Sequence, residues 1–196
     1  PCEVFNAVHK HLLIKPHDSI IVAVSGGPDS VALIKILDSI NSSKNLHLSL
    51  FIAHLNHQLR GKSSEEDAQF VQNLSEDLSL PFLLKSVDIQ KIADQTKRSI
   101  EETARRERYK FFMESAQKHN TSAVAIGHTA DDNTETILHR ILRGTGTLGL
   151  GGIPIKRPLV SGSAIQLIRP LLFTWRKEII EYLREKQFTY RTDASN

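Results

Sequence analysis

The chain has 196 residues, of which 40% are hydrophobic and 24% charged, and 25 basic against 22 acidic side chains give a formal charge of +3. This composition is typical of a globular domain with a hydrophobic core. The single cysteine, Cys2, excludes an internal disulfide and a zinc or iron–sulfur site built from this chain's cysteines alone. We therefore expect a reducing, cytoplasmic setting. No apolar run has the length of a membrane span, so we expect no membrane partner.

Strand-like and helix-like patterns alternate along most of the chain. In chain order they predict a strand over 20–24, a helix over 31–40, a strand over 47–53, a helix over 64–78, a strand over 82–87, a helix over 99–118, a strand over 122–126, a helix over 131–142, a strand over 165–168 and a helix over 174–186. This alternation is typical of an α/β fold with an open, mostly parallel sheet covered by helices on both faces. Ligands in such sheets bind at the carboxyl ends of the strands.

The turn after the first predicted strand is rich in small residues: it contains Ser25, Gly26, Gly27, Pro28, Asp29 and Ser30. Glycines let a ligand approach the backbone closely, and the amides at a helix N-terminus attract anions, so the turn predicts a phosphate site. It lacks the lysine of G-x-x-x-x-G-K-[ST] and does not fit G-x-G-x-x-G. The structural alternative is an ordinary turn with an Asp or Ser helix cap.

Two histidines, His54 and His57, follow the second predicted strand. We expect them near the adenine of a nucleotide or near a nucleic-acid substrate. A plain surface position is the alternative, whereas zinc is disfavoured because no matching Cys or His pair follows at ligand spacing.

The segment after the fourth predicted strand carries the densest group of titratable residues. His128, Asp132, Glu135 and His139 lie near one stripe of the helix that begins there. Carboxylates of Asp132 and Glu135 close to Asp29 would suit Mg²⁺ beside a triphosphate. Alternatively, acidic residues in a first helical turn merely offset the helix dipole.

The helix over 99–118 is expected to begin with Ser99 as N-cap and Glu102 completing a capping box. Arg105 and Arg108 share one face, where guanidinium groups could clamp phosphate or stabilise charge in a transition state, while Tyr109 and Phe112 can face the core. A solvated face paired with neighbouring glutamates is the alternative, and we favour it for Arg106.

We expect one domain over 1–196. It includes a glycine-rich loop at 143–152, which could be a flexible linker or a substrate-closing loop, and a C-terminal strand and helix segment at 165–196.

Six segments together resemble the tRNA(Ile)-lysidine synthetase branch of the PP-loop ATPases. They are SGGPDS at 25–30, HLNHQLRGKSSEED at 54–67, EETARRERYKFF at 101–112, GHTADDNTETILHRILRGTGTLGLGG at 127–152, RPLL at 169–172 and YRTDASN at 190–196. The resemblance implies an enzyme that uses ATP to adenylate the wobble cytidine of tRNA(Ile) with a CAU anticodon. Free L-lysine then displaces AMP to give lysidine.

The resemblance also implies roles for individual residues. Residues 25–30 would hold the pyrophosphate of ATP, with His54 also in the nucleotide site, and Asp29 would lie near Mg²⁺. Asp132 and Glu135 would complete the site for the metal and for lysine activation. His128 would lie beside the adenylated base, and Arg108 and Arg105 would stabilise the pentavalent phosphate or the leaving group. The resemblance thus assigns nucleotide binding to Ser25, Gly26, Gly27, Pro28, Asp29, Ser30 and His54. It assigns metal binding to Asp29, Asp132 and Glu135, and catalysis to Asp132, His128, Arg108 and Arg105.

Longer relatives carry C-terminal tRNA-binding domains that are absent from this chain, so it is either a fragment or a short form. Two other functions remain open: a PP-loop tRNA thiolase, and a module that binds ATP without chemistry. A thiolase with a cluster or persulfide would need cysteines in the site, and Cys2 alone argues against it. The sequence does not fix the oligomeric state, with a homodimer as one option.

Overall fold

A computed structural model describes residues 2–59, 61–144 and 151–192. Its elements in chain order are α1 (Cys2–Lys10), β1 (Ser19–Ala23), α2 (Pro28–Lys44), β2 (Ser49–Asn56), α3 (Lys62–Asp77), β3 (Phe82–Ser86), α4 (Ile89–Thr96), α5 (Ile100–Lys118), β4 (Ala123–Ala125), α6 (Ala130–Leu142), β5 (Lys156–Pro158), β6 (Gln166–Ile168) and α7 (Arg176–Glu185). All ten predicted elements are present. The short elements α1, α4 and β5 were not predicted.

The six strands form one sheet in the order β3-β2-β1-β4-β6-β5. Every neighbouring pair is parallel except β5 and β6, which are antiparallel. The chain builds outward from β1 to β3 and then places β4 on the other side of β1. The strand order therefore reverses between β1 and β4, and such a reversal opens a crevice at the carboxyl ends of these two strands.

Helices cover both faces of the sheet, as predicted. Ile20 and Val22 of β1 pack in one hydrophobic cluster with buried residues of α2 and α7, whereas Ile21 packs in a second cluster with Phe111 and Phe112 of α5. Because successive strand residues point to opposite faces, both faces of β1 are buried. Among the described residues, none of the helices has both the length and the apolar character needed to cross a membrane.

Two element boundaries differ from the sequence prediction in ways that affect the site. Strand β2 continues to Asn56, because His54 and Asn56 pair in register with β3, so His54 lies in the strand and not in the turn after it. Helix α2 begins at Pro28, which places Asp29 in its first turn. Both shifts bring polar side chains onto regular elements at the edge of the crevice.

The N-terminus of α5 agrees with only half of the predicted capping box. The Ser99 hydroxyl accepts a hydrogen bond from the Glu102 amide at 3.1 Å, as expected of an N-cap. The Glu102 carboxylate instead pairs with Arg98 at 3.2 Å. An ion pair with a nearby arginine replaces the bond back to the cap residue.

Candidate functional site

A cleft of about 810 Å³ opens at the carboxyl ends of β1, β2 and β4. The predicted site residues that line it are Ser25, Gly27, Pro28, Asp29, Ser30, His54, Arg105, Arg108 and His128. The strand reversal thus gathers segments that are far apart in sequence, as the carboxyl-end rule predicted. The cleft is also lined by residues of α3, by Arg169 after β6, by Arg176 at the start of α7, and by Arg191 near the C-terminal end of the described chain.

The turn between β1 and α2 leaves the N-terminus of α2 without a side-chain cap. Its N-cap residue is Gly27, in an extended conformation, and it makes no capping hydrogen bond. By contrast, side chains cap α4, α5 and α6. The Ser30 hydroxyl donates to the Gly27 carbonyl at 2.9 Å and accepts from the Ser25 amide at 3.2 Å, which fixes the shape of the turn. The expected alternative, an Asp or Ser cap, is therefore not found, and the helix amides face the cleft uncapped.

Two glycines are required by the geometry around this turn. Gly26 has a φ of +99°, which side chains strongly disfavour. Gly127, after β4, packs directly on the turn: a Cβ there would lie 3.2 Å from the Asp29 carbonyl carbon and oxygen. Gly127 thus allows the β4–α6 segment to contact the backbone of the β1–α2 turn.

Asp29 is a carboxylate with one partner and one free oxygen. Its Oδ2 lies 3.3 Å from Nη2 of Arg176, while its buried Oδ1 has no hydrogen-bond partner among the described residues. Burial raises the pKa of Asp29, and the carboxylates of Asp132 and Asp131 add to this effect, whereas Arg176 opposes it. A buried, unpartnered carboxylate oxygen near a second carboxylate is a fitting position for a cation.

Asp132 has a structural role at the start of α6. Its Oδ2 accepts hydrogen bonds from the Thr129 amide at 2.7 Å and the Thr129 hydroxyl at 3.0 Å, which completes a capping box. Glu135 and His139 are exposed further along α6 and do not line the cleft. Within the described residues no three His, Cys, Asp or Glu side chains are grouped to hold a metal. Of the expected stripe, Asp132 and His128 therefore lie near each other, whereas Glu135 and His139 point away from the cleft.

The two histidines near the end of β2 have different surroundings. His54 is 5% exposed, and its Nδ1 lies 2.8 Å from the Val24 carbonyl, so this nitrogen carries a proton and ties β2 to β1. Burial lowers the pKa of His54. Burial, Arg108 and His54 lower the pKa of His57 to about 4, and the buried His57 Nδ1 has no hydrogen-bond partner in the part of the chain that the structure describes. Both rings are therefore neutral near pH 7.

Four arginines, Arg105, Arg108, Arg157 and Arg169, surround Tyr109. Arg157 donates to the Tyr109 hydroxyl at 2.7 Å, and the guanidinium carbons of Arg105 and Arg157 lie 5.5 and 5.4 Å from the centre of its ring. Partial desolvation and the neighbouring Arg105 lower the pKa of Arg108. In the described part of the chain, none of the four makes an ion pair with a carboxylate. This cluster is suited to bind an anion.

Phe112 is buried as expected, and Tyr109 packs against the same hydrophobic cluster, which agrees with the expectation that both can face the core. Tyr109 is half-buried and lines the cleft, because its hydroxyl is held by Arg157 from the sheet edge. Arg169 could have been found by the rule already used for β1, β2 and β4, since it is the first polar residue after the strand predicted over 165–168.

The C-terminal segment reaches back to the β1–α2 turn. The Arg191 amide donates to the Gly26 carbonyl at 2.9 Å. Its side chain donates to Asp67 at 2.9 Å and Glu66 at 2.8 Å on α3. Arg191 thus joins the C-terminal segment, α3 and the β1–α2 turn. The glycine-rich positions 145–150 and the terminal positions 193–196 lie outside the described residues.

Comparison with known proteins gives consistent matches along the chain. A family model described as a PP-loop domain matches residues 3–196. A tRNA(Ile)-lysidine synthase from Geobacter sulfurreducens is 42% identical over 192 residues, which are 98% of this chain and 39% of that protein. A tRNA(Ile)-lysidine synthase from Chlorobaculum tepidum is 40% identical over 189 residues, which are 96% of this chain and 54% of that protein. The chain therefore spans about two fifths to half of the length of these relatives.

Among solved structures, the U34-tRNA thiolase NcsA from Methanococcus maripaludis, described with its [4Fe-4S] cluster, superposes with a TM-score of 0.75. The match covers 100% of this chain and 67% of the thiolase chain, at 17% sequence identity. At this identity the similarity establishes a shared fold, which agrees with the predicted α/β class.

Proposed function

We propose a function on the premise that this chain belongs to the PP-loop domain family, whose model matches residues 3–196. The chain is the ATP-using catalytic domain of a tRNA(Ile)-lysidine synthase. It adenylates the wobble cytidine of tRNA(Ile) with a CAU anticodon, and L-lysine then displaces AMP to form lysidine. Relatives that carry this name and are about 40% identical support the proposal.

One observation carries the chemistry: an uncapped helix N-terminus and unpaired arginines line the same cleft. The β1–α2 turn would bind the β- and γ-phosphates, so that the α-phosphate is left for attack by the cytidine oxygen. That attack releases pyrophosphate and forms an AMP ester at carbon-2 of the base. AMP is a far better leaving group than the unmodified carbonyl oxygen of cytosine, so the lysine amine can then displace AMP from carbon-2.

The cleft fits a Mg²⁺ ion at Asp29. The buried Oδ1 of Asp29 has no hydrogen-bond partner among the described residues, and the nearby carboxylate of Asp132 adds to the raised pKa of Asp29 that burial causes. Mg²⁺ is commonly held by one or two carboxylates together with phosphate oxygens and water. Bound there, the ion would neutralise charge on the triphosphate. The role of Glu135 as a further metal ligand stays a prediction; in the structure its side chain is exposed and does not line the cleft.

The remaining residues would act on the two transferred groups. Arg108 and Arg105, which have no carboxylate partner among the described residues, would stabilise charge on the α-phosphate during both displacements. Asp132 would position the lysine amine, whose unperturbed pKa of about 10.4 means that it must lose a proton before it attacks. His128 would lie beside the base.

The direct test is incubation of the chain with tRNA(Ile), ATP and labelled L-lysine. We expect label in the tRNA together with AMP and pyrophosphate as the other products. Formation of ADP in place of AMP would contradict the proposal. The tRNA(Met) with the same CAU anticodon is the matched control substrate.

Asp132→Asn tests the assigned role of that side chain without removing the helix cap. The amide oxygen of asparagine can still accept from Thr129, so the fold should persist while the negative charge is lost. We expect lysidine formation to fall by about a hundredfold or more. Unchanged lysidine formation would remove Asp132 from the mechanism.

The fold match to a tRNA thiolase raises that activity as a second candidate. The thiolase is described with a [4Fe-4S] cluster, and such clusters are held by cysteine thiolates. This chain has one cysteine, Cys2, in α1, so it cannot by itself hold a cluster with three or four cysteines. The lysidine reaction needs no cysteine, and we favour it for that reason.

A cytoplasmic location, in which tRNA and lysine are both available, is part of the proposal. A homodimer is a further prediction, which sedimentation of the purified chain would test.

A further inference from the structure

Arg169 is an almost fully buried arginine, 4% exposed, that follows directly after β6. Its Nε donates to Nδ1 of His128 at 2.9 Å, and its Nη1 donates to the Pro154 carbonyl at 2.7 Å. Both acceptors are uncharged. Within the described residues Arg169 makes no ion pair, which is unusual for a buried guanidinium.

The contact with His128 fixes the position of the proton on the imidazole ring. An arginine Nε always carries hydrogen, so it can only donate, and Nδ1 of His128 must therefore accept. An imidazole nitrogen that accepts is unprotonated, and the neutral ring then carries its single proton on Nε2. The opposite tautomer would place two N–H groups against each other at 2.9 Å.

The surroundings of His128 favour the same neutral form. Arg169 faces the ring from the end of β6, Arg105 and Arg108 face it from α5, and Asp132 faces it from α6. Three positive charges against one negative charge disfavour an imidazolium ion. The second hydrogen bond, from Nη1 to the Pro154 carbonyl, holds the guanidinium in place beside His128.

We propose that Arg169 is a positioning residue that holds His128 as a neutral hydrogen-bond donor through Nε2. His128 then offers a proton in a hydrogen bond to an oxygen of the bound substrate, and its Nδ1 is not available as a base. The identity of that oxygen rests on the proposed function: it belongs to the adenylated base or to the α-phosphate, where negative charge develops as AMP departs. The tautomer itself does not depend on that function.

The first test is nitrogen-15 NMR of histidine-labelled protein, with the His128 signals assigned by comparison with His128→Gln. We expect a protonated Nε2 and an unprotonated, hydrogen-bonded Nδ1 near pH 7 in the wild-type protein. A protonated Nδ1, or an imidazolium ion at that pH, would overturn the proposal. This measurement uses no substrate, so it separates failure of the proposal from failure of the lysidine assignment.

The second test replaces the donor. Arg169→Met keeps a long side chain without an N–H group, and we expect it to give a mixture of His128 tautomers. Arg157→Gln is the matched control, since it removes a neighbouring positive charge without touching His128, and it should leave the tautomer unchanged. An unchanged tautomer in Arg169→Met would contradict the proposal.

Kinetics distinguish positioning from a merely structural role. In Arg169→Met we expect kcat to fall by about tenfold or more, with the KM for ATP changing by less than about threefold. The acidic limb of the rate profile should move to higher pH, because the lost positive charge no longer opposes protonation of His128. Arg169→Lys should not restore the rate, since one ammonium group cannot reach both acceptors with the same geometry. A loss of kcat without any shift of the pH profile would indicate a merely structural role of Arg169 and would contradict positioning.

Discussion

His57 should make the nucleotide-free protein less stable as the pH falls. Its pKa is about 4 in the folded protein and 6.5 without the fold, chiefly because burial and the positive charge of Arg108 disfavour the imidazolium ion. Between these two values the unfolded chain binds more protons than the folded one, so protonation favours unfolding. This cost is nearly absent at pH 7 and complete below about pH 4. The two pKa values give a loss of about 2 kcal/mol between about pH 7 and about pH 5.

The assay is urea unfolding followed by circular dichroism at several pH values. We compare wild-type protein with His57→Gln, which cannot titrate, and expect the variant to lose about 2 kcal/mol less stability than the wild type over this range. His139→Gln, at an exposed position on α6, is the control, and it should follow the wild type. His128 titrates in all three proteins, so its effect cancels in the comparison. Equal pH dependence of the wild type and His57→Gln would refute the reasoning.

Three further predictions concern the phosphate turn. Arg176→Ala should raise the KM for ATP by about tenfold, because it removes the cation that lies 3.3 Å from Asp29 in the cleft. Lys177→Ala, at the exposed neighbouring position, is the control and should leave the KM unchanged. Equal effects of the two variants in steady-state kinetics would contradict this prediction. Gly127→Ala should lower the free energy of unfolding by about 1–2 kcal/mol, since the new Cβ would lie 3.2 Å from the Asp29 backbone. For the same reason it should weaken ATP binding, measured by calorimetry. Wild-type affinity of the variant would show that the β1–α2 turn can move to make room. Burial raises the pKa of Asp29, so ionisation of this carboxyl lowers the stability of the folded protein as the pH rises through the raised pKa. Asp29→Asn should therefore raise the Tm of the nucleotide-free protein at neutral pH and reduce the increase in Tm that Mg²⁺ and ATP produce. A lower Tm of the variant would contradict the burial argument.

The sequence was sufficient for five of the six strands and for one side of the cleft, because both depend on local patterns. Apolar runs located the strands, and the polar residues that follow three of them, such as Ser30 and His128, meet in the cleft as the carboxyl-end rule requires. The elements α1, α4 and β5 were missed because they are short: α1 and α4 are amphipathic but span only nine and eight residues, less than the window over which helical periodicity is read, and β5 has three. The extension of β2 to Asn56 depends on pairing with β3, which no local pattern reports.

Side-chain direction was the less predictable part of the site. The metal role of Asp132 stays a prediction; the capping box that its carboxylate forms with Thr129, three residues earlier, was not predicted although the spacing suits it. Helical periodicity placed Tyr109 and Phe112 on neighbouring positions of α5 without showing that Arg157 would draw the tyrosine hydroxyl into the cleft. In both cases the partner of a polar group fixes its direction, and helical periodicity alone does not identify that partner.

The missing lysine of the phosphate turn explains why the cleft depends on the last part of the chain. A G-x-x-x-x-G-K-[ST] loop carries its own cation, so its phosphate site is formed by one local segment. Here the cations nearest the turn are Arg176 at the start of α7 and Arg191 near the end of the described chain, and both contact the turn or its flanking helix. The proposed phosphate site is therefore complete only when α7 and the C-terminal segment have docked beside the β1–α2 turn. Nucleotide binding should thus be coupled to folding of the whole domain, because the turn alone provides glycines and helix amides but no positive side chain.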